Sequence, residues 1–307
     1  MFVNTMANTM ALNQELGSPM RVLVTGGHGQ LGRRLVAVGR QRRDVDVVGL
    51  GRADMDVLNP SSILAALEKH QPSVVIHAAA YTAVDRAEED HEAAHALNAV
   101  AVGNVASACR DRAIRLIHIS TDYVFGQAPR RPLRPEDPIH PEGVYAQTKA
   151  DGERLALSSG ADAAVVRVSW LYDGVGHNFM GTMLRLAKEH GALRVVDDQV
   201  GVPTAAPVLA SGLLDMAVMG EDMPTGIWHY AHEGVTSWHG FASEIMKVAG
   251  LDVPVEPVPT SSYPTPARRP VWSVLDGEPL RARMGWPAMH WKEGLEICWR
   301  LRSTAAE

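Results

Sequence analysis

Val22-Leu23-Val24-Thr25-Gly26-Gly27-His28-Gly29-Gln30-Leu31-Gly32 is the stretch that decides how this chain folds. An apolar, β-branched run leads without a break into a glycine cluster. The cluster satisfies G-x-G-x-x-G at positions 27, 29 and 32 and G-x-x-G-x-x-G at 26, 29 and 32. A tight strand-to-helix turn needs residues without a Cβ, and so does close approach of the backbone to a pyrophosphate. The helix that follows offers free N–H groups and the positive end of its dipole to that anion.

Working outward, the glycine turn is the first of a series. Short β-branched runs at Val22–Val24, Val45–Leu50, Ser73–His77, Ile114–Ile119 and Ala163–Val168 alternate with longer amphipathic ones at 30–42, 60–70, 85–111 and 142–159. Apolar strands of this length between helices predict a parallel sheet covered on both faces. The expected fold is therefore α/β, a Rossmann-type doubly wound parallel sheet over residues 20–172, with a smaller C-terminal substrate-binding domain over 173–307. Beyond Trp170 the alternation weakens: a helix near 178–190 precedes a Gly/Pro-bearing stretch at 201–207, and residues 253–270 carry six prolines. Gly226–His232 reads as a strand before a helix that starts near Ser237, so a segment around 205–232 is expected to return to the sheet. Residues 1–19 hold no Lys or Arg and no sustained apolar run. They lack the parts of a signal peptide and read as a flexible leader.

Composition narrows the partners. With 46% hydrophobic residues the chain can bury a sizeable core, and its net charge of −6 gives no basic field for a phosphate backbone. Nucleic acid is not expected as a partner, and no run of about 18 apolar residues marks a membrane span. Cys109 and Cys298 stand alone, without disulfide or zinc spacing, which fits a reducing cytoplasm.

Three further features carry chemistry. At the end of the second strand, where a carboxylate would hold the ribose 2′-hydroxyl of NAD, the sequence reads Leu50-Gly51-Arg52. Arg52 can pair with a 2′-phosphate, which favours NADPH; Asp54 could still reach a hydroxyl, so NADH stays possible. Tyr145 and Lys149 are spaced i, i+4 on a helix, which puts the ammonium beside the phenol. A nearby cation is expected to lower the phenol from its usual value of about 10 and make it a usable general acid. Thirdly, His91-Glu92-Ala93-Ala94-His95 matches H-E-x-x-H, but residues 96–101 supply no third ligand. It is read as a solvent-facing helix turn, and no residue is assigned to a metal.

Other runs complete a recognisable set: His77-Ala78-Ala79-Ala80-Tyr81-Thr82-Ala83-Val84-Asp85-Arg86-Ala87-Glu88, Ser120-Thr121-Asp122-Tyr123-Val124-Phe125 and Arg167-Val168-Ser169-Trp170-Leu171-Tyr172. Asn178-Phe179, Asp198-Gln199-x-Gly201-x-Pro203-Thr204 and Tyr263-Pro264-Thr265-Pro266-Ala267-x-Arg269-Pro270 follow in order. On these residues the chain, from Arg21 to about Trp299, resembles the extended short-chain dehydrogenase/reductases and, among them, the dTDP-4-dehydrorhamnose reductases. The resemblance implies reduction of the C4 ketone of dTDP-4-dehydro-6-deoxy-L-mannose by NADPH. Tyr145 would be the general acid, Lys149 would poise it, and Thr121 would donate to the carbonyl oxygen.

By position, the resemblance places Gly26, Gly29, Gln30, Leu31 and Gly32 along the pyrophosphate and Asp56 and Val57 beside the adenine. Ala80, Tyr81 and Thr82 would line the ribose and nicotinamide side, with Tyr145 and Lys149 also touching the cofactor. Val84, Thr121, Asp122 and Trp170 would contact the sugar nucleotide. A homodimer is the family's expectation, and Mg2+ is left unassigned. The chain departs from many relatives at Val271-Trp272-Ser273, where they carry Asn before the Ser, and at Gly51-Arg52. The same scaffold also serves epimerases and dehydratases that retain NAD+, reductases of related nucleotide-linked 4-keto-6-deoxy sugars in antibiotic glycoside biosynthesis, and a non-catalytic NADP-binding regulatory subunit.

Overall fold

Six strands pair in parallel to form the central sheet: β1 (Met20–Thr25), β2 (Val45–Leu50), β3 (Val74–His77), β4 (Arg115–Thr121), β5 (Ala163–Val168) and β10 (Gly226–Tyr230). Their order across the sheet is β10-β5-β4-β3-β1-β2. This computed structural model describes residues 18–305, so the leader expected over 1–19 lies almost wholly outside the described residues. In β1, Val22 and Val24 face one apolar layer and Leu23 the other, and all three are fully buried. Burial on both faces is why these strands read as continuous apolar runs rather than as alternating ones.

Helix α1 (Gln30–Gly39) follows β1, and α2 (Pro60–His70) follows β2. Asn59 caps α2, its Oδ1 accepting from the N–H groups of Ser61 and Ser62, with Pro60 in the first turn. From β2 the chain crosses to the far side of β1 to make β3, so the direction of winding reverses between β1 and β3. At such a reversal the loops leaving the two strands part and open a crevice at their C-terminal ends. The Thr25 hydroxyl bridges it underneath, 2.8 Å from His77 Nδ1 and accepting the Ala79 N–H at 3.3 Å.

The helical run expected over 85–111 is broken into pieces: α3 (Val84–Ala87), α4 (His91–His95), a π-helical turn (Ala96–Val100) and α5 (Ala101–Arg110). The extra residue in the π turn sets the buried Asn98 facing the loop after β3. Its Oδ1 accepts the Tyr81 N–H at 2.9 Å, and its Nδ2 donates to Tyr81 O and Thr148 Oγ1. π turns of this kind recur where a side chain must be re-aimed at a functional site. His91 and His95 are exposed, and His91 Nε2 contacts Glu88 O at 2.9 Å. Among the described residues no group of three or more His, Cys, Asp or Glu is placed to hold a metal.

Helix α6 (Val144–Ser158) crosses from the end of β4 to β5, and the short β6 (Leu171–Tyr172) follows. The chain then builds a second apolar core from α7 (Phe179–His190), β7 (Leu193–Val196), β8 (Val200–Gly201), β9 (Thr204–Ala205), α9 (Trp238–Val248) and α11 (Trp291–Ala305). Helix α8 (Ala206–Val218) belongs to the first unit: Leu209, Leu213 and Leu214 pack with Val22, Val24 and Leu35 before β10 joins the sheet beside β5. Among the described residues no helix is long and apolar enough to cross a membrane.

Candidate active site

A cleft of about 630 Å³ runs along the C-terminal ends of the sheet strands. Gly26, Gly29, Gln30, Leu31, Arg52, Asp56, Val57, Ala80, Thr82, Val84, Thr121, Asp122, Tyr145, Lys149 and Trp170 all line it. Arg52 follows β2 and Trp170 follows β5, four strand spacings apart, or about 19 Å at ~4.8 Å each. The loops therefore distribute one long site across the sheet edge.

At the β1 end, Gly26 has φ +66°, and a Cβ there would stand 2.8 Å from Ala79 N. A Cβ on Gly32 would lie 2.2 Å from Gly26 O, so Gly32 lets helix and turn pack together and does not itself line the cleft. Gly29 is different: its Cβ would meet only Gly26 O, at 3.1 Å, and would otherwise fill the open cradle. No side chain caps α1 and its first turn holds no acid, so its free N–H groups and positive end stay available. These features fit a pyrophosphate. Arg52 is exposed at the rim, while Asp54 is engaged locally, its Oδ2 accepting the Gly51 N–H at 3.1 Å. Tyr81 turns away from the cleft, its phenol donating to Asp90 at 3.2 Å.

The proton-transfer group sits where β4 meets α6. Lys149 is 2% exposed, and its Nζ donates to Ile119 O at 2.7 Å with His118 Nε2 at 3.5 Å. Burial pushes this ammonium down to about 8, against the pull of the Glu153 carboxylate one helical turn away. Tyr145 packs edge-on against Tyr123, ring centroids 5.3 Å apart. Contrary to the expectation from spacing, its phenol is pushed up to about 12 by burial, opposed by the Thr121 hydroxyl. The lysine is tethered to the β4 backbone, and desolvation of the ring outweighs any neighbouring charge.

Thr121 also departs from expectation. Its hydroxyl donates to Asp122 Oδ1 at 3.1 Å and accepts the Tyr123 N–H, capping the 3₁₀ turn Asp122–Phe125. It must leave Asp122 before it can donate to anything else. Asp122 is 2% exposed, its Oδ2 has no hydrogen-bond partner, and burial pushes the carboxyl up to about 6.

Behind these residues lies a polar network the sequence reading passes over. Glu153 Oε1 accepts from Ser120 Oγ at 2.5 Å and Arg167 Nε at 2.9 Å, while Oε2 accepts Arg167 Nη2 at 2.7 Å. Glu153 lies four residues after Lys149, and Ser120 directly precedes Thr121, so the ion pair locks both halves of the site. Lys149 also neighbours the stacked imidazoles of His77 and His118, 5.4 Å apart, both held neutral by burial. On the opposite wall Arg269 reaches Asp85 with two bonds of 3.0 and 2.6 Å, tying the proline-rich segment to α3 beside Val84. The i, i+8 spacing of Tyr145 and Glu153 on one helix was the available signal for the first network; nothing local marks the Arg269 pair.

Trp170 has φ +47°, a conformation that costs a bulky residue roughly 1–3 kcal/mol and persists only when its surroundings enforce it. Ser169 Oγ donates to Val202 O at 2.7 Å and Thr204 N donates to Trp170 O at 3.1 Å, bracing the bend from both sides.

Comparison with known proteins places this arrangement. The sequence profile of the RmlD substrate binding domain matches residues 20–302. A dTDP-4-dehydrorhamnose reductase of Burkholderia thailandensis is 39% identical over 299 residues, covering 92% of this chain and 98% of its own. A probable dTDP-4,6-dihydroxy-2-methyloxan-3-one 4-ketoreductase of Streptomyces antibioticus is 38% identical, covering 90% of this chain and 93% of its own. The crystal structure of a dTDP-4-dehydrorhamnose reductase from Bacillus anthracis, in complex with NADP, superposes with a TM-score of 0.86 at 33% identity, covering 92% of this chain and 99% of that one.

Proposed function

Because the chain belongs to the RmlD substrate binding domain family, we propose that it reduces the C4 ketone of dTDP-4-dehydro-6-deoxy-L-mannose to dTDP-L-rhamnose with NADPH. The observation that carries this reading is the convergence of Thr121, Tyr145 and Lys149 with the glycine turn in one cleft. When bound, NADPH supplies the hydride. Gly29, Gln30 and Leu31 would hold its pyrophosphate, Arg52 would pair with its 2′-phosphate, and Asp56 and Val57 would bind its adenine. Ala80 and Thr82 would line the ribose and nicotinamide side, and Lys149, which donates one N–H to Ile119 O, would have another for a ribose hydroxyl.

Negative charge builds on the C4 oxygen as the ketone is reduced, and Tyr145 donates the proton that neutralises it. A phenol held at about 12 is protonated throughout the neutral range and so stands ready as the acid. Its proton goes to an alkoxide, which is a far stronger base. Thr121, released from Asp122, places a hydroxyl donor where that charge develops. Asp122, whose Oδ2 has no partner, accepts from a sugar hydroxyl, and Val84 and Trp170 supply apolar contacts.

A second reading keeps the reaction and changes the sugar. The 38% identity to the Streptomyces ketoreductase, against 39% to the Burkholderia reductase, supports a related dTDP-linked keto sugar almost as well. Oxidation of NADPH, followed at 340 nm with dTDP-4-dehydro-6-deoxy-L-mannose and with other dTDP-4-keto sugars, separates the two. Highest kcat/KM on the first supports rhamnose formation, and highest kcat/KM on another assigns the second reading. No consumption with any of them rejects the reductase and leaves a binding subunit.

A further inference from the structure

Trp238, which the sequence marks only as part of a helix start, lies flat against Trp170. The ring centroids are 3.6 Å apart and the planes 10° from parallel. Both indoles line the cleft with Thr121, Asp122 and Tyr145. Phe179 supports Trp238 with its ring centroid 4.5 Å away. The two-residue strand β8 is the common mount. Gly201 packs so close to Nε1, Cε2 and Cζ2 of Trp170 that a Cβ there would stand 2.7 Å from the ring. The same strand pairs antiparallel with Thr236–Ser237, the residues directly before Trp238. Ser237 caps α9 by accepting the Gly240 N–H at 3.0 Å and donates its hydroxyl to Asp197.

We propose that Trp238 is a positioning residue for the sugar, holding the Trp170 indole in one plane at the end of the cleft farthest from Arg52; this rests on the reductase reading above. The C–H faces of a sugar pack on aromatic surfaces, and a wall already ordered before binding spares the cost of fixing a rotatable side chain. The bend at Trp170 fixes where its side chain leaves the backbone. Rotation about the side chain is left to be stopped by Gly201 on one part of the ring and Trp238 across its face. Without Trp238 each encounter would have to order Trp170 again, which weakens ground-state and transition-state binding alike and therefore raises KM more than it lowers kcat.

Two stacked indoles couple to give an exciton couplet in far-ultraviolet circular dichroism, which reports the pair directly. In the wild-type protein the couplet should be present without ligand and keep its sign and strength when NADP+, and then dTDP-L-rhamnose or dTDP, is added. Trp238→Ala should abolish it, raise KM for the nucleotide sugar by roughly three- to tenfold, and leave NADPH affinity unchanged. Trp238→Phe should recover most of the KM. A wild-type KM in Trp238→Ala, or a couplet that appears only once the nucleotide sugar is added, overturns the proposal. Should Trp238→Ala fail to fold, the wild-type titration and the Trp238→Phe kinetics decide. Absence of NADPH oxidation by the wild type with any dTDP-4-keto sugar would reject the reductase reading instead, while the couplet of the ligand-free protein would still decide whether the pair is stacked before binding.

Discussion

Arg167 and Glu153 form a two-point ion pair whose side chains are only 2% and 4% exposed. It joins β5 to α6 directly behind the Tyr145–Lys149 pair, and Ser120 completes it from β4. Breaking such a pair leaves one charge buried alone, at a cost of about 3–5 kcal/mol. Glu153→Gln and Arg167→Met should each lower the unfolding free energy by that amount in urea titrations, while the double variant Glu153→Leu with Arg167→Met should lose less than the sum. Single variants that lose under about 1 kcal/mol would show that water reaches the pair.

Tyr145→Phe removes the phenolic proton and little else. Turnover should fall by roughly 10²–10⁴-fold, with NADPH affinity by fluorescence titration nearly unchanged. Activity near wild type would take Tyr145 out of the proton transfer.

Two buried groups at the site set opposite pH dependences on stability. Asp122 titrates near 6 when folded against 3.8 unfolded, so the folded form holds more proton at this group between about pH 4 and 6 and its contribution to stability falls as pH rises through that window. Lys149 titrates near 8 when folded against 10.5 unfolded, so the unfolded chain holds more proton at this group between about pH 8 and 10.5 and its contribution to stability rises with pH there. Buried neutral His77, His118, His229 and His232 make total stability rise with pH in the acid window, and buried Cys109 and Cys298 make it fall above about pH 9, so each contribution is read as the difference in urea midpoint between the cofactor-free wild type and a variant. Asp122→Asn should steepen the rise between about pH 4 and 6 and leave the alkaline side unchanged; an unchanged acid slope in that variant would assign the contribution to another carboxyl.

Arg52 stands exposed at the rim just beyond β2. If it pairs with a 2′-phosphate, Arg52→Ala should weaken NADPH binding by roughly 10- to 100-fold, the worth of a charge-assisted hydrogen bond, and leave NADH within about twofold. Equal weakening of both cofactors by calorimetry would point to a general loss of the rim rather than phosphate recognition.

The glycine turn, the alternation of apolar strands with helices and the Tyr145/Lys149 spacing are local patterns, and local patterns suffice for a doubly wound sheet with its ligand crevice at the strand ends. Backbone sterics and burial on two faces dictate those features wherever the chain is read. The ionisation of the site was not legible in this way. The i, i+4 spacing placed Lys149 near Tyr145, but the Ile119 carbonyl claims the ammonium and desolvation drives the phenol up, because both are settled by elements packed from β4, β5 and the π turn. The same holds for Arg269 on Asp85 and for Trp238 on Trp170: each joins segments more than sixty residues apart, and only the closed tertiary structure brings them together.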